Sequence, residues 1–166
     1  MSTLTRLFKH LTKSTGFGRR AFPEPTLKAI EDAIAAGEMR HRAELRVIVE
    51  PSLGVLDVLA GQTPRERARE LFAHYGIWDT EENCGVLVYI NLADHQVEIV
   101  ADRGIGRTVA AQDWEAICRT MTQGFARGDY HNSTLAALAQ LNALLEEHYP
   151  DDGSTHNQLT NRPVML

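Results

Sequence analysis

Trp78-Asp79-Thr80-Glu81-Glu82-Asn83-Cys84 leads into Gly85-Val86-Leu87-Val88-Tyr89-Ile90, and Gln96-Val97-Glu98-Ile99-Val100-Ala101 leads out to Asp102-Arg103-Gly104-Ile105-Gly106. The apolar run 85–90 has the pattern of a strand buried on both faces. Residues 96–101 alternate less cleanly and read as a second strand. The link Asn91-Leu92-Ala93-Asp94-His95 suits an antiparallel hairpin. A hairpin returns the chain to its starting end. The acidic segment 79–83 and the turn 102–108 are therefore expected to share one corner, and this corner is where a functional site is expected.

Upstream, Leu45, Val47 and Val49 alternate with Arg46, Ile48 and Glu50, a strand that Pro51 ends. Thr63-Pro64-Arg65-Glu66 is a capping box with proline at the first helical position. Its helix carries Ala68, Leu71, Phe72 and Tyr75 on one face and stops at Gly76. Strand, helix, strand implies a right-handed crossover and a parallel pair. Residues 52–60 read as a short helix, and Pro23 and Pro25 open another that carries Leu27, Ile30 and Ile34.

Downstream, Trp114, Ile117, Cys118, Met121 and Phe125 mark a helix, with the two tryptophans, Trp78 and Trp114, read as core anchors. Gly128-Asp129-Tyr130 turns the chain. Asn132 or Ser133 can cap a last helix, which buries Leu135, Leu138, Leu141 and Leu145. The order predicts an α/β fold: a three-layer α/β/α sandwich with a small mixed sheet. It is built from a parallel β-α-β crossover, an antiparallel hairpin and two closing helices.

The 166 residues are 43% hydrophobic and 23% charged, as in ordinary globular proteins. The net charge of −5 gives no reason to expect nucleic-acid binding. The charge is unevenly distributed. Residues 1–23 hold Arg6, Lys9, Lys13, Arg19 and Arg20 and no acid, while the rest holds 12 basic and 22 acidic side chains. Leu4, Leu7, Phe8 and Leu11 make residues 4–13 a basic amphipathic helix, which Gly16-Phe17-Gly18 should break. The chain thus divides into a basic arm at 1–22, a domain at 23–150, and a polar, unpatterned tail at 151–166 that is expected to be mobile. Arg6 interrupts the first apolar stretch and no apolar core follows, so no signal peptide is expected. Cys84 and Cys118 form no metal or redox spacing and read as reduced, small apolar groups in a cytoplasmic protein. His41 near Glu44 reads as a surface pair.

At the predicted corner, Asp79, Glu81, Glu82 and Asp102 offer carboxylate oxygens to a hard cation such as Ca²⁺ or Mg²⁺. Arg103 and Arg107 instead neutralise those acids or hold an anion such as phosphate. Gly104 and Gly106 let the chain turn from strand to helix. No Gly-x-Ser-x-Gly motif marks a nucleophile.

The Gly-Val-Leu strand behind Asn83, the second strand ending near Gly104 and Gly106, and the helix running into Phe125, Gly128, Asp129 and Tyr130 together resemble the TPM-domain family. That family is known from thylakoid-lumen and bacterial envelope proteins, and the likeness, to a short bacterial branch, covers residues 25–148. The resemblance implies the α/β/α sandwich, associates acid phosphatase activity and Ca²⁺ binding with the family, and places a pocket at Asn83, Asp102 and Gly104. Three readings of function follow. The first is a TPM-like interaction module with a protein partner, held peripherally at the inner membrane face by contact of residues 4–20 with anionic lipid, and requiring no cofactor. The second is a phosphoesterase assisted by Ca²⁺ or Mg²⁺, with Asp102 orienting or deprotonating water. The third is an anion or small-ligand sensor.

Overall fold

The computed structural model describes residues 2–154 and 157–166. The chain begins with α1 (Thr3–Thr12), α2 (Thr15–Ala21), α3 (Glu24–Glu38), β1 (Glu44–Glu50), α4 (Val55–Leu59) and α5 (Pro64–His74). It continues with β2 (Gly85–Asn91), β3 (Gln96–Ala101), α6 (Arg103–Gly106), α7 (Ala111–Ala126), α8 (Tyr130–His148) and β4 (Val164–Met165). The strand order is β3-β2-β1-β4. β1 and β2 are parallel, with Glu44 opposite Gly85 and Glu50 opposite Asn91. β3 returns antiparallel to β2, with Asn91 opposite Gln96 and Val86 opposite Ala101. The crossover and the hairpin are as the sequence predicts, and the fold is an α/β sandwich.

The strands alternate between two cores. Leu45, Val47, Val49, Val86, Val88 and Ile90 pack with Ile34 of α3, Met121 of α7 and Leu138 and Leu141 of α8. Ile48, Leu87 and Tyr89 face the other way, onto Ala68 and Leu71 of α5 and onto Ile77. The capping box forms in full: Glu66 N–H donates to Thr63 Oγ1 and Thr63 N–H donates to Glu66 Oε2.

Several expectations need correction. Residues 16–18 do not break the arm's helix but lie within α2. Gly18 permits a close approach, since a Cβ there would meet Pro51 Cγ at 2.5 Å. α8 is capped by Asp129, whose Oδ1 accepts from Asn132 N–H, rather than by Asn132 or Ser133. Trp78 is 55% exposed and not a core anchor. His41 is buried away from the surface; its Nε2 lies 3.1 Å from Asn142 Oδ1 and burial pushes its pKa down.

The last segment also differs from the polar mobile tail read from the sequence. β4 pairs parallel with β1, Ile48 opposite Val164 and Val49 opposite Met165. Leu159, Val164 and Leu166 pack against the α5-side core. The segment is held both by these apolar side chains and through its backbone, and the irregular spacing of the three leaves no period to read.

Candidate functional site

The two loops of the predicted corner do meet. Gly104 N–H donates to Asn83 O at 3.1 Å, and Asp102 N–H donates to Gly85 O at 2.9 Å. Asn83 adopts φ 52°, which turns its carbonyl toward the second loop. A Cβ on Gly104 would lie 2.5 Å from Asn83 O and 2.8 Å from Glu82 O, so only glycine permits this approach. Gly106 meets nothing closer than 3.5 Å, and its role in the turn is less demanding.

The acidic side chains of the corner are divided among separate tasks. Asp102 caps α6, with Oδ1 accepting from Arg103 N–H at 2.7 Å, while its Oδ2 is buried without a partner among the described residues. Glu82 Oε2 accepts from Arg42 Nη1 at 2.8 Å, and the Arg42 guanidinium lies 4.4 Å from the centre of the Tyr149 ring. Glu81 is engaged through its backbone, donating to Gln158 Oε1 at 3.0 Å. Asp79 is exposed, as are Arg103 and Arg107. Among the described residues no three His, Cys, Asp or Glu side chains are arranged to hold a metal ion. Of the four acids, Asp102 and the Glu82 backbone meet at the Asn83–Gly104 contact, while Glu81 turns to Gln158 and Asp79 N–H donates to Gly76 O. Arg42 and Tyr149 belong to this corner and come from segments too distant for short-range patterns to reveal.

A second surface surrounds the arm. At the carboxyl ends of β1 and β2, Arg67 Nη2 donates to Glu50 Oε1 at 2.8 Å and Tyr89 Oη donates to Glu50 Oε2 at 2.6 Å. Burial and the Glu50 charge push the Tyr89 pKa up and keep its hydroxyl protonated. Asn91 Nδ2 donates to Tyr89 Oη, and Asn91 Oδ1 accepts from Asp94 N–H. Asp94 in turn holds α1: Arg6 Nε and Nη2 donate to its two oxygens at 3.0 and 2.7 Å. His10 Nδ1 accepts from Leu53 N–H at 2.9 Å, so its Nε2 carries the ring proton and faces Asp94 Oδ1 at 3.2 Å. Burial disfavours the Asp94 carboxylate, but hydrogen bonds from Arg6 and His10 outweigh it and hold the pKa below the usual value.

This anchoring mounts α1 with its polar side inward. His10 is buried, whereas Leu4, Phe8 and Leu11 point outward, Leu4 with 78% of its surface exposed. α1 packs against α4, which exposes Val55, Leu56 and Leu59. Of the eight large hydrophobic side chains exposed among the described residues, six lie on these two helices. The periodicity of residues 4–13 shows two faces but not which one turns inward. Among the described residues no helix is long and apolar enough to cross a membrane.

A mixed sheet between helical layers, a hairpin corner closed on a glycine and an arm pinned to the hairpin turn define a small α/β/α module. The TPM domain model matches residues 20–144, and the chain belongs to that family. Among solved structures it resembles the BA42 protein from the psychrophilic bacterium Bizionia argentinensis, determined by NMR, with 22% identity and a TM-score of 0.75. That likeness covers 86% of this chain and 93% of BA42, and it concerns the fold. No curated protein matches the chain in sequence.

Proposed function

We propose that the chain is a TPM-domain interaction module that docks peripherally on an anionic membrane face through α1 and α4. The observation that carries this reading is the outward mounting of Leu4, Phe8 and Leu11 by the Arg6–Asp94–His10 anchor. A helix retained only for packing would turn these side chains inward. Contiguous exposed apolar surface marks an interaction site, and the basic groups beside it select a negatively charged one. Lys9 lies on α1, Lys13 caps its C-terminal end, and Arg19 and Arg20 are exposed on α2. Each Lys or Arg near an anionic leaflet contributes about 1 kcal/mol, and partly inserted apolar side chains add to this.

Flotation with phosphatidylglycerol-containing vesicles tests the reading. The wild type floats, floats less at high salt, and does not float with neutral phosphatidylcholine. Leu4→Gln, Phe8→Gln and Leu11→Gln together remove flotation without unfolding the protein. Equal flotation of this variant and the wild type would exclude the docking face.

A second reading rests on the unpartnered Asp102 Oδ2 at the corner, beside Asn83, Gly104 and the exposed Arg103 and Arg107. It makes the corner a phosphoester site, in which a cation polarises the phosphoryl oxygen and Asp102 orients water, or an anion sensor. Ca²⁺, Mg²⁺ or inorganic phosphate then raises the melting temperature, and Asp102→Asn abolishes phosphate-ester hydrolysis in the enzymatic version. Wild-type activity in that variant would exclude the catalytic role, and an unmoved melting temperature would exclude the sensor.

A further inference from the structure

The side of α1 that faces the hairpin turn carries more positive charge than the turn neutralises. Arg6, Lys9, His10 and Lys13 recur at i, i+3, i+4 and i+7 and form one stripe on α1 and its cap. Among the described residues, Asp94 is the acid that pairs with this stripe, and Arg6 and His10 occupy both of its oxygens. Lys9 and Lys13 are half-buried and form no ion pair among the described residues.

The unpaired groups are held in place. Lys13 Nζ lies 3.6 Å from the centre of the Phe17 ring, and Phe17 packs edge-on against Tyr130. Lys13 N–H donates to Lys9 O at 3.1 Å, which fixes both lysines on the last turn of the helix. His95 approaches from the hairpin. It adopts φ 53° beside Asp94, whose own N–H is held by Asn91 Oδ1 at 2.9 Å. Partial desolvation, then the charges of Lys13 and Lys9, push the His95 pKa down, and Asp94 offsets them only in part. Two positioned ammonium groups thus keep a neighbouring imidazole neutral, an arrangement that an anion would relieve. Leu4, Phe8 and Leu11 project from the other side of α1. When they enter a bilayer interface, the flank of the helix lies at the level of the lipid phosphates, within reach of lysine side chains.

We propose that Lys9, Lys13 and His95 form a phosphomonoester site that takes the terminal headgroup phosphate of an anionic lipid when α1 docks. The proposal rests on the membrane reading above and adds the chemistry of the lipid. A dianionic phosphate meets both ammonium groups and draws a proton onto the imidazole. A monoanionic diester such as phosphatidylglycerol meets only the general positive charge of α1 and α2.

The test uses the full chain with phosphatidic acid vesicles and phosphatidylglycerol vesicles matched in surface charge at neutral pH. The wild type binds the phosphatidic acid vesicles about fivefold more tightly, the size of one exposed charge interaction. His95→Asn keeps the left-handed turn, which asparagine tolerates. It removes the preference and leaves phosphatidylglycerol binding unchanged. Followed by nuclear magnetic resonance, the His95 ring pKa moves up when phosphatidic acid is added in bicelles. A rise with inorganic phosphate and none with phosphatidic acid would overturn the lipid as ligand. Equal binding to the two vesicles, or a preference retained in His95→Asn, would overturn the site and leave the docking reading standing. Failure of the wild type to bind either vesicle would overturn the docking reading and the lipid site together.

Discussion

β1 shows its two faces to different surroundings. Leu45, Val47 and Val49 enter a core closed by α3, α7 and α8, where Ile34, Met121, Leu138 and Leu141 are fully buried. Glu44, Arg46, Ile48 and Glu50 point the other way, toward α5 and segment 157–166, and three of these four are charged yet buried. The first face is held by apolar packing that nothing smaller can replace. The second combines apolar packing of Ile48 with Ala68, Leu71 and Leu87 with hydrogen bonds that Glu44 and Arg46 make to segment 157–166. One strand therefore joins a purely apolar core to a face where buried charges meet the last segment of the chain.

The largest effect expected is on the apolar side. Leu138→Ala leaves a cavity among α3, α7 and α8 and costs about 2–5 kcal/mol in urea unfolding. On the other side, Arg46→Ala removes two hydrogen bonds to the carbonyls of Thr160 and Arg162 and costs about 1–3 kcal/mol. Limited proteolysis should then cut within segment 157–166 while the rest stays resistant. Equal costs with no local cleavage would erase the contrast between the faces.

Glu38 sharpens the comparison through pH. Its Oε1 accepts from Leu45 N–H at 2.9 Å, but burial raises its pKa to about 7. A carboxyl raised in the folded state favours folding at low pH. This contribution is complete below the unfolded value near 4.5 and is lost as pH rises through about 7. The change amounts to about 2 kcal/mol, allowing for partial solvent access. Glu38→Gln should flatten the pH dependence of the melting temperature between 5 and 8; an unchanged slope would remove Glu38 as its source.

A smaller effect is expected at the arm. Asp94→Asn weakens the grip on Arg6 and His10, costs about 1–2 kcal/mol, and speeds tryptic cleavage at Arg6, Lys9 and Lys13 before any global change. The Asp94 pKa is depressed, so its contribution is present above the ordinary carboxylate value and fades as pH falls through the folded one. The wild-type arm should therefore loosen in acid.

Much of this was legible in the sequence because it is local. The Thr63–Glu66 box, the run at 85–90 and the hairpin link each declare themselves within a few residues, and the neighbouring of Asn83 and Gly104 follows from the hairpin alone. What was not legible depends on distant partners. The strand at 44–50 is readable, but the partners of Arg46 and Glu50 are not, because Thr160 and Arg67 cannot be assigned to them from spacing. Residues 151–166 read as a polar tail because Leu159, Val164 and Leu166 are irregularly spaced and the backbone contacts of residues 158 and 159 leave no sequence pattern. The outward mounting of α1 depends on Asp94, 88 positions from Arg6. At the corner, proximity was readable, but the engagement of Glu82 by Arg42 was not.

Docking through α1 is tested most directly by a tryptophan at its exposed face. Phe8→Trp, in a chain with Trp78→Phe and Trp114→Phe, places the single indole of the protein outside the core. Adding phosphatidylglycerol vesicles should shift its emission to the blue and make it quenchable by brominated lipid chains. Emission that stays at the solvent-exposed wavelength, unquenched, at saturating lipid would contradict the docking of this face.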